Sequence, residues 1–275
     1  MLFVENGRES MELDTIYNEN CCETMGRMLD ASIDLTVTSP PYDNLRDYKG
    51  YSFDFESVAR GLYRVTKPGG VVVWIVGDAV VDGGETGTSF RQALFFKEIG
   101  FRLHDTMIYE KSGSPFPETR RYTQSFEYMF VFTTGGLESF NPLNDKPNSN
   151  FGFPAHRGRA TFRNKQGELV DGKRNYLIPE FGMRTNIWRY STGKGNSTPD
   201  IEAYNHPAIF PEKLVADHIL SWSNEGDIVY DPFMGSGTTA KMARLLQRKY
   251  IGSEIAAEYC EIAKKRLAQQ VFDFT

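Results

Sequence analysis

The sequence predicts an α/β fold, a doubly wound and mainly parallel sheet with an inserted lobe, and three observations predict it. Short apolar runs alternate with segments of helical periodicity. The run Val71 to Val76 is apolar without interruption, and between Phe140 and Ser197 the alternation stops. Alternation of strand and helix implies parallel strands covered on both faces, with ligands expected at the carboxyl ends of the strands. An uninterrupted apolar strand is one buried on both faces. A chain of 275 residues is long enough for one sizeable core carrying one extra lobe.

Taken in order, strands are predicted at Ile33 to Val37, Val71 to Val76, Met107 to Tyr109, Tyr128 to Phe132, Ile228 to Tyr230 and Tyr250 to Ile251. Helices are predicted over Phe55 to Val65, Ser89 to Ile99, Pro211 to Trp222, Thr238 to Gln247 and Ala256 to Gln269. The lobe is predicted over 141–197, which divides the main domain into 1–140 and 198–275. Its aromatics, Phe151, Phe153, Phe162, Tyr176, Phe181 and Trp188, are too many for a purely solvating segment. Charge is polarised: residues 146–195 carry ten Lys or Arg against three acids, +7, and leave −12 on the remaining 225 residues of a chain whose net charge is −5. A basic segment on an acidic chain is the electrostatic footprint of a nucleic-acid contact rather than of a uniformly coated surface.

Several classes are disfavoured. No stretch reaches the roughly eighteen apolar residues of a spanning helix, and the N-terminus lacks a basic-then-apolar signal pattern, so a cytoplasmic protein without membrane contact is expected. The three cysteines, Cys21, Cys22 and Cys260, are odd in number and lack metal-ligand spacing. The histidines His104, His156, His206 and His218 are widely spaced, and no metal is expected.

Two constellations carry chemistry. Asp231-Pro232-Phe233-Met234-Gly235-Ser236-Gly237-Thr238-Thr239 follows a strand and opens a helix. Its glycines allow a tight turn and close backbone approach to a ligand, and the N–H groups of the helix start favour an anion or carboxylate. The pattern is neither a dinucleotide fingerprint nor a phosphate loop. Glu254 lies seventeen residues after Gly237, where a carboxylate can bind a ribose diol. Together they indicate an adenosyl cofactor without a pyrophosphate; separately they read as a plain turn and a solvated strand end. The second constellation is Thr38-Ser39-Pro40-Pro41-Tyr42, directly after a strand. A double proline removes N–H donors and leaves a stiff turn with outward carbonyls. An exocyclic amino group attacks poorly until acceptors draw on its hydrogens, and Ser39 Oγ with the Pro40 carbonyl are suited to that. Tyr42 offers a face on which an extruded base can stack. Alone, this too reads as a proline turn with a core tyrosine.

In this order the two constellations resemble the amino-methylating DNA methyltransferases of the permuted beta group, in which the catalytic tetrad precedes the cofactor glycines. His206-Pro207-Ala208-Ile209-Phe210-Pro211 and Lys67-Pro68-Gly69-Gly70 extend the resemblance over nearly the whole chain. It implies a circularly permuted class I S-adenosylmethionine-dependent methyltransferase fold with a seven-stranded sheet. It also implies a catalytic tetrad Ser39, Pro40, Pro41, Tyr42. The cofactor S-adenosyl-L-methionine would be bound by Asp231, Phe233, Gly235, Ser236, Gly237 and Thr238, with Glu254 at the ribose and Phe210 near the methionine portion. Where the family often has Asp-Cys near the N-terminus to hold the adenine, this chain has Asn20-Cys21, and Asn20 is a further candidate contact.

Methylation at a ring carbon needs a cysteine nucleophile, generally beside a proline, and no cysteine here has a proline neighbour. The expectation is therefore one-step displacement at the sulfonium methyl, achieved by positioning and amino-hydrogen acceptors. Within the family, Ser at the first tetrad position more often accompanies cytosine N4 activity and Asp adenine N6, so cytosine N4 is favoured. The alternatives are adenine N6 methylation and a non-catalytic DNA-binding module of the same fold. Double-stranded DNA is the expected partner, in a restriction–modification setting. Arg157, Arg159, Arg163, Lys165, Lys173, Arg174, Arg184 and Arg189 of the lobe are the candidate DNA contacts, because Arg reads guanine edges and Lys or Arg holds phosphates. Asp78, at the end of the Val71 to Val76 strand, suits either the site or a helix entry.

Overall fold

The apolar run at 71–76 lies near the middle of an eight-stranded sheet in the computed structural model, which describes residues 4–5, 8–41, 53–113, 120–155, 160–172, 177–193, 195–206 and 209–269. The strands are β1 (Thr15–Tyr17), β2 (Ile33–Thr38), β3 (Thr66–Val76), β4 (Arg102–Lys111), β5 (Phe126–Thr133), β6 (Ile187–Tyr190), β7 (Ile228–Asp231) and β8 (Lys249–Ser253). Their order across the sheet is β6-β4-β5-β3-β2-β7-β8-β1. All neighbours are parallel except β5, which runs antiparallel to both β3 and β4. The helices are α1 (Cys21–Arg27), α2 (Phe55–Val65), α3 (Thr88–Glu98), α4 (Glu212–Trp222), α5 (Thr238–Leu245) and α6 (Ala257–Gln269).

Alternation along β3 assigns the two faces. Val72, Trp74 and Val76 enter one cluster with Met25 of α1, Val58, Leu62 and Val65 of α2, and Phe96 of α3. Successive strand side chains point to opposite faces, so Val71, Val73 and Ile75, all essentially buried, serve the other, where α4 packs on β2 and α5 on β7 and β8. Helix α2 shows how the sequence specifies such an element. Asp54 accepts from the Ser57 N–H at 3.2 Å and its hydroxyl at 2.6 Å, which caps the helix start. Val58, Ala59, Leu62 and Val65 then recur at the spacing of one helical face.

The sheet differs from the seven-stranded expectation by one strand. Residues 187–190, assigned from sequence to the lobe, pair in parallel with β4, Trp188 opposite Tyr109 and Tyr190 opposite Lys111. The chain divides into two compact units, Met1–Asn141 with Asn186–Thr275, and Pro142–Thr185. The second unit is thus shorter than 141–197. Its aromatic Trp188 belongs to the sheet, where it is buried against His218, and a buried aromatic in a short run was indistinguishable from a lobe aromatic by count alone.

The second unit contains two antiparallel ribbons, Lys146–Pro147 with Phe181–Gly182 and Ala160–Arg163 with Leu169–Gly172. Asn164 organises the turn of the latter by accepting from the Gln166 and Glu168 N–H groups, both at 3.0 Å, a local Asx arrangement.

Candidate cofactor and base site

Strand order creates the site. From β2 the chain proceeds outward to β3 on one side, whereas from β7 it proceeds to β8 on the other. The carboxyl ends of β2 and β7 therefore flank a topological switch point, where open α/β sheets leave a crevice for ligands. The Ser39 turn leaves β2 there, and the glycine turn leaves β7.

A buried carboxylate ties the two turns together. Asp231, closing β7, accepts from Thr38 Oγ1 at 2.6 Å, from Thr239 Oγ1 at 2.7 Å and from the Phe233 N–H at 3.0 Å. Thr38 immediately precedes Ser39, and Thr239 lies in the first turn of α5. Burial pushes the Asp231 carboxyl above the usual carboxylate range, and these three donors pull it back. Asp231 is thus a bracket between the two motifs as well as a cavity-wall residue.

Glu254, directly after β8, accepts from the Gly235 N–H through Oε2 and from the Ala256 N–H through Oε1, both at 2.8 Å. Burial raises its carboxyl too, opposed by those two amides. Each oxygen retains a further lone pair, so the carboxylate is oriented and still able to accept from a diol. Gly235 and Gly237 both have positive φ, +51° and +82°, where a side chain is strained, but they serve different ends. A Cβ on Gly235 would come within 3.0 Å of His206 Nε2, inside the cavity wall. One on Gly237 would meet Ala263 of α6 at 2.7 Å. Gly237, expected from sequence to line the cofactor, instead permits close packing of α6 behind the loop.

A cavity of about 1140 Å³ opens over these turns and is lined by Asn20, Ser39, Pro40, Pro41, Phe210, Asp231, Phe233, Gly235, Ser236, Thr238 and Glu254. All the sequence candidates for catalysis and cofactor contact except Gly237 and Tyr42 therefore meet at one site; Tyr42 lies outside the described residues. The Asn20 side chain caps α1, Oδ1 accepting from the Cys22 N–H at 2.8 Å, which presents the residue at the cavity from a helix start. Asp78 also borders the cavity, but its carboxylate accepts from the Ser89 N–H and hydroxyl at 2.8 and 2.5 Å. It takes the helix-entry role, for α3.

The N6/N4 methyltransferase family model, described as DNA methylase, matches residues 33–265. The chain belongs to this family. M.BamHII of Bacillus amyloliquefaciens, an orphan methyltransferase, is 60% identical over 242 residues, which cover 88% of this chain and 91% of that one. The type II methyltransferase M.BglII of Bacillus subtilis is 28% identical over 93% of this chain and 69% of its own. The relatives thus divide between an orphan and a type II enzyme. Among solved structures, the cytosine-N4-specific PvuII DNA methyltransferase superposes with a TM-score of 0.67 at 20% identity, covering 94% of this chain and 87% of that one. A putative DNA modification methylase of Thermus thermophilus, solved with S-adenosyl-L-methionine, gives 0.63 at 23% identity over 93% of each chain. As a member of the N6/N4 DNA methylases the chain is a DNA amino-methyltransferase of class I fold with S-adenosyl-L-methionine as methyl donor.

The candidate DNA contacts of this methylase are spread over both units. In the second, Arg163 and Lys165 are exposed at the ribbon turn, Arg163 donating to the Gly167 carbonyl at 2.7 Å, and Arg184 is held by Asp145. Arg189 stands on β6 of the first unit, paired with Glu110 at 2.5 Å. Arg157, Arg159, Lys173 and Arg174 lie outside the described residues. The +7 of residues 146–195 thus overstates the free charge, because Asp145 and Glu110, both outside that window, neutralise two of its arginines.

Sequence reasoning missed several cavity residues. Phe53, edge-on to Phe233 with ring centroids 5.4 Å apart, follows no motif. Tyr204 and Tyr259 also line the cavity, Tyr259 edge-on to His206 at 4.3 Å. Arg266, fully buried behind the loop, had a readable signal: it shares the inward stripe of α6 with Ala263 and Leu267, a position where a charge needs a partner. Among the described residues no helix is long and apolar enough to cross a membrane, and no three His, Cys, Asp or Glu side chains are grouped as metal ligands.

Proposed function

We propose that this DNA amino-methyltransferase acts on cytosine N4, with the base extruded from the duplex into the cavity beside Ser39. The observation that carries the reading is the residue at the first position of the β2 turn, a serine and not an acid. Cytosine presents an amino donor beside the ring acceptor N3, as adenine does beside N1. A hydroxyl can accept from the amino group and donate to the ring nitrogen, whereas an ionised carboxylate can only accept. The hydroxyl thus suits either base, and the choice between them rests on the family tendency. Within the family, Ser at this position accompanies cytosine N4 more often than adenine N6.

The chain's own groups divide the work. Glu254, oriented by the Gly235 and Ala256 amides, takes the ribose hydroxyls, and Asn20, Phe233, Ser236, Thr238 and Phe210 complete the cofactor wall. Bound S-adenosyl-L-methionine supplies a sulfonium methyl for one-step displacement by the amino nitrogen, whose extra proton leaves afterwards to water. Ser39 Oγ and the Pro40 carbonyl draw on the amino hydrogens and so bring the nitrogen lone pair out of conjugation, while Tyr42 supplies the stacking face. Asp231, through Thr38, keeps those acceptors registered against the cofactor loop, a positioning contribution to the rate. The second unit, with Arg163, Lys165 and Arg184, and Arg189 of β6 provide contacts to duplex DNA, together with Arg157, Arg159, Lys173 and Arg174.

The test is to incubate the protein with duplex DNA of mixed sequence and S-adenosyl-L-methionine, digest to nucleosides and identify the product by mass spectrometry. N4-methylcytosine is expected. N6-methyladenine would reverse the assignment of the base from Ser39 and leave the rest of the site in place.

A further inference from the structure

Behind the glycine loop, on the side away from the cavity, lies a buried cluster that methyl transfer as described does not use. Arg266 of α6 has no exposed surface. Its Nη1 donates to the Ser236 carbonyl at 2.6 Å, the Ser236 hydroxyl at 3.1 Å and Thr238 Oγ1 at 3.1 Å. Its Nε donates to Asp200 at 3.0 Å and its Nη2 to Glu212 at 2.8 Å. Lys241 of α5 meets the same two carboxylates at 2.8 and 2.7 Å, so two cations balance two anions. Thr198 adds a hydroxyl donor to Glu212 at 2.6 Å.

Two features lift this arrangement above packing. The Ser236–Gly237 peptide is gripped at both ends, its carbonyl by Arg266 and its N–H, on Gly237, by the Met234 carbonyl at 2.9 Å. That peptide sits between the two glycines, where the backbone is least restrained by its own side chains. Asp200 and Glu212, moreover, lie near the two ends of the segment that brings Tyr204, His206 and Phe210 to the cavity wall. A single guanidinium therefore ties the glycine loop to that segment. The Lys241 ammonium touches the same carboxylates but, among the described residues, makes no hydrogen bond to the Ser236–Gly237 peptide; its backbone N–H donates to the Gly237 carbonyl at 3.0 Å as part of α5.

We propose that Arg266 is a positioning residue for the cofactor, holding the Ser236 peptide and the 198–212 segment at the spacing that S-adenosyl-L-methionine requires. This rests on the assignment of the glycine loop to the cofactor. Lys in its place keeps the charge but lacks the planar fork that reaches the loop carbonyl and both carboxylates together.

The experiment compares Arg266→Lys with Lys241→Met, the latter removing a charge from the same buried cluster. Apo-protein melting, calorimetric titration with S-adenosyl-L-methionine, and the KM values for cofactor and DNA are measured for each. Lys241→Met should lower the melting temperature and leave the cofactor Kd within about twofold. Arg266→Lys should raise the cofactor Kd and KM about tenfold or more, the worth of one lost hydrogen bond to a charged group, with the DNA KM unchanged. Equal weakening of cofactor binding in both variants, or none in Arg266→Lys, would overturn the proposal. A second readout needs no variant: in the wild-type protein the Arg266 Nε resonance should shift on adding S-adenosylhomocysteine while that of Arg248, which binds Ser223 on another part of the fold, stays in place. A static Arg266 signal would also overturn it. Failure of the wild-type protein to bind cofactor would instead remove the loop assignment itself.

Discussion

Removing the Glu254 carboxylate should weaken cofactor binding far more than it weakens the fold. Its two oxygens are held by the Gly235 and Ala256 amides at 2.8 Å each, which leaves one lone pair on each for the ribose hydroxyls. Hydrogen bonds to a charged group contribute about 1.5–3 kcal/mol each. Two such bonds, less the water that replaces them, give a net loss of about 2–4 kcal/mol for Glu254→Ala, or about 30- to 1000-fold in Kd. The fold should lose less, because burial already disfavours the ionised carboxyl and the freed amides can take water in the open cavity. Glu254→Gln preserves the shape but turns an NH2 toward one of the two amide donors, so it should fall in the same range. Isothermal titration with S-adenosyl-L-methionine reads the affinity, and thermal unfolding of the apo protein reads the fold. An unchanged Kd in Glu254→Ala would remove Glu254 from the ribose site, and a collapse of the melting temperature in step with affinity would make the residue structural.

Other outcomes follow from the same geometry. Because burial raises the carboxyls of Glu254 and Asp231, the folded chain holds protons that the unfolded chain releases. The stability linked to these groups is therefore greatest at acid pH and declines as pH rises from the ordinary carboxylate range through their raised values. Cofactor affinity runs the other way, since only the ionised Glu254 accepts from both hydroxyls. Kd measured against pH should worsen on acidification beginning above the ordinary carboxylate range, and the dependence should flatten in Glu254→Gln; an unaltered profile in that variant would assign it to another group. Asp231→Asn replaces one acceptor oxygen by a donor among three donors and should cost about 1–3 kcal/mol by chemical denaturation, with cofactor affinity and turnover both reduced; full activity would show that the bracket is dispensable. Leu62→Ala, at a fully buried position on α2, should cost about 2–5 kcal/mol and leave the cofactor Kd unchanged below the melting transition.

The elements most legible in the sequence are those with a strong local cause. Helix α2 spans the residues its periodicity predicts, Phe55–Val65, because a cap and a regular apolar face agree. Strand β3 was recognisable from its apolar run, but its start at Thr66 was not, since Lys67-Pro68-Gly69-Gly70 reads as a turn. In the structure that segment lies where the β2–β3 register shifts, so turn-forming residues are absorbed into an irregular strand start. Strand β1 and helix α1 were missed for want of length: Thr15–Tyr17 has three residues and α1 seven, too few to display a period. The sites were legible as motifs, because the chemistry of a glycine turn or a proline turn is local. Their mutual registration by Asp231, and the cluster around Arg266, were not, because those depend on residues distant in sequence that only the sheet order brings together.

The permuted order works through contacts between residues distant in sequence. Thr38 and Asp231 are 193 positions apart, yet they share a hydrogen bond of 2.6 Å. They meet because β2 and β7 are neighbours where the chain leaves toward opposite sides of the sheet. The crevice is a property of the sheet and not of the direction in which the chain enters it. Whether the acceptor turn or the glycine turn comes first along the polypeptide is therefore immaterial to the chemistry, provided the two strands remain adjacent and a buried acceptor holds their ends in register. Asp231 meets that requirement from the cavity side, and Arg266, a donor, restrains the glycine loop from behind. Together they place restraints on both faces of a turn whose glycines would otherwise leave it the least determined part of the site.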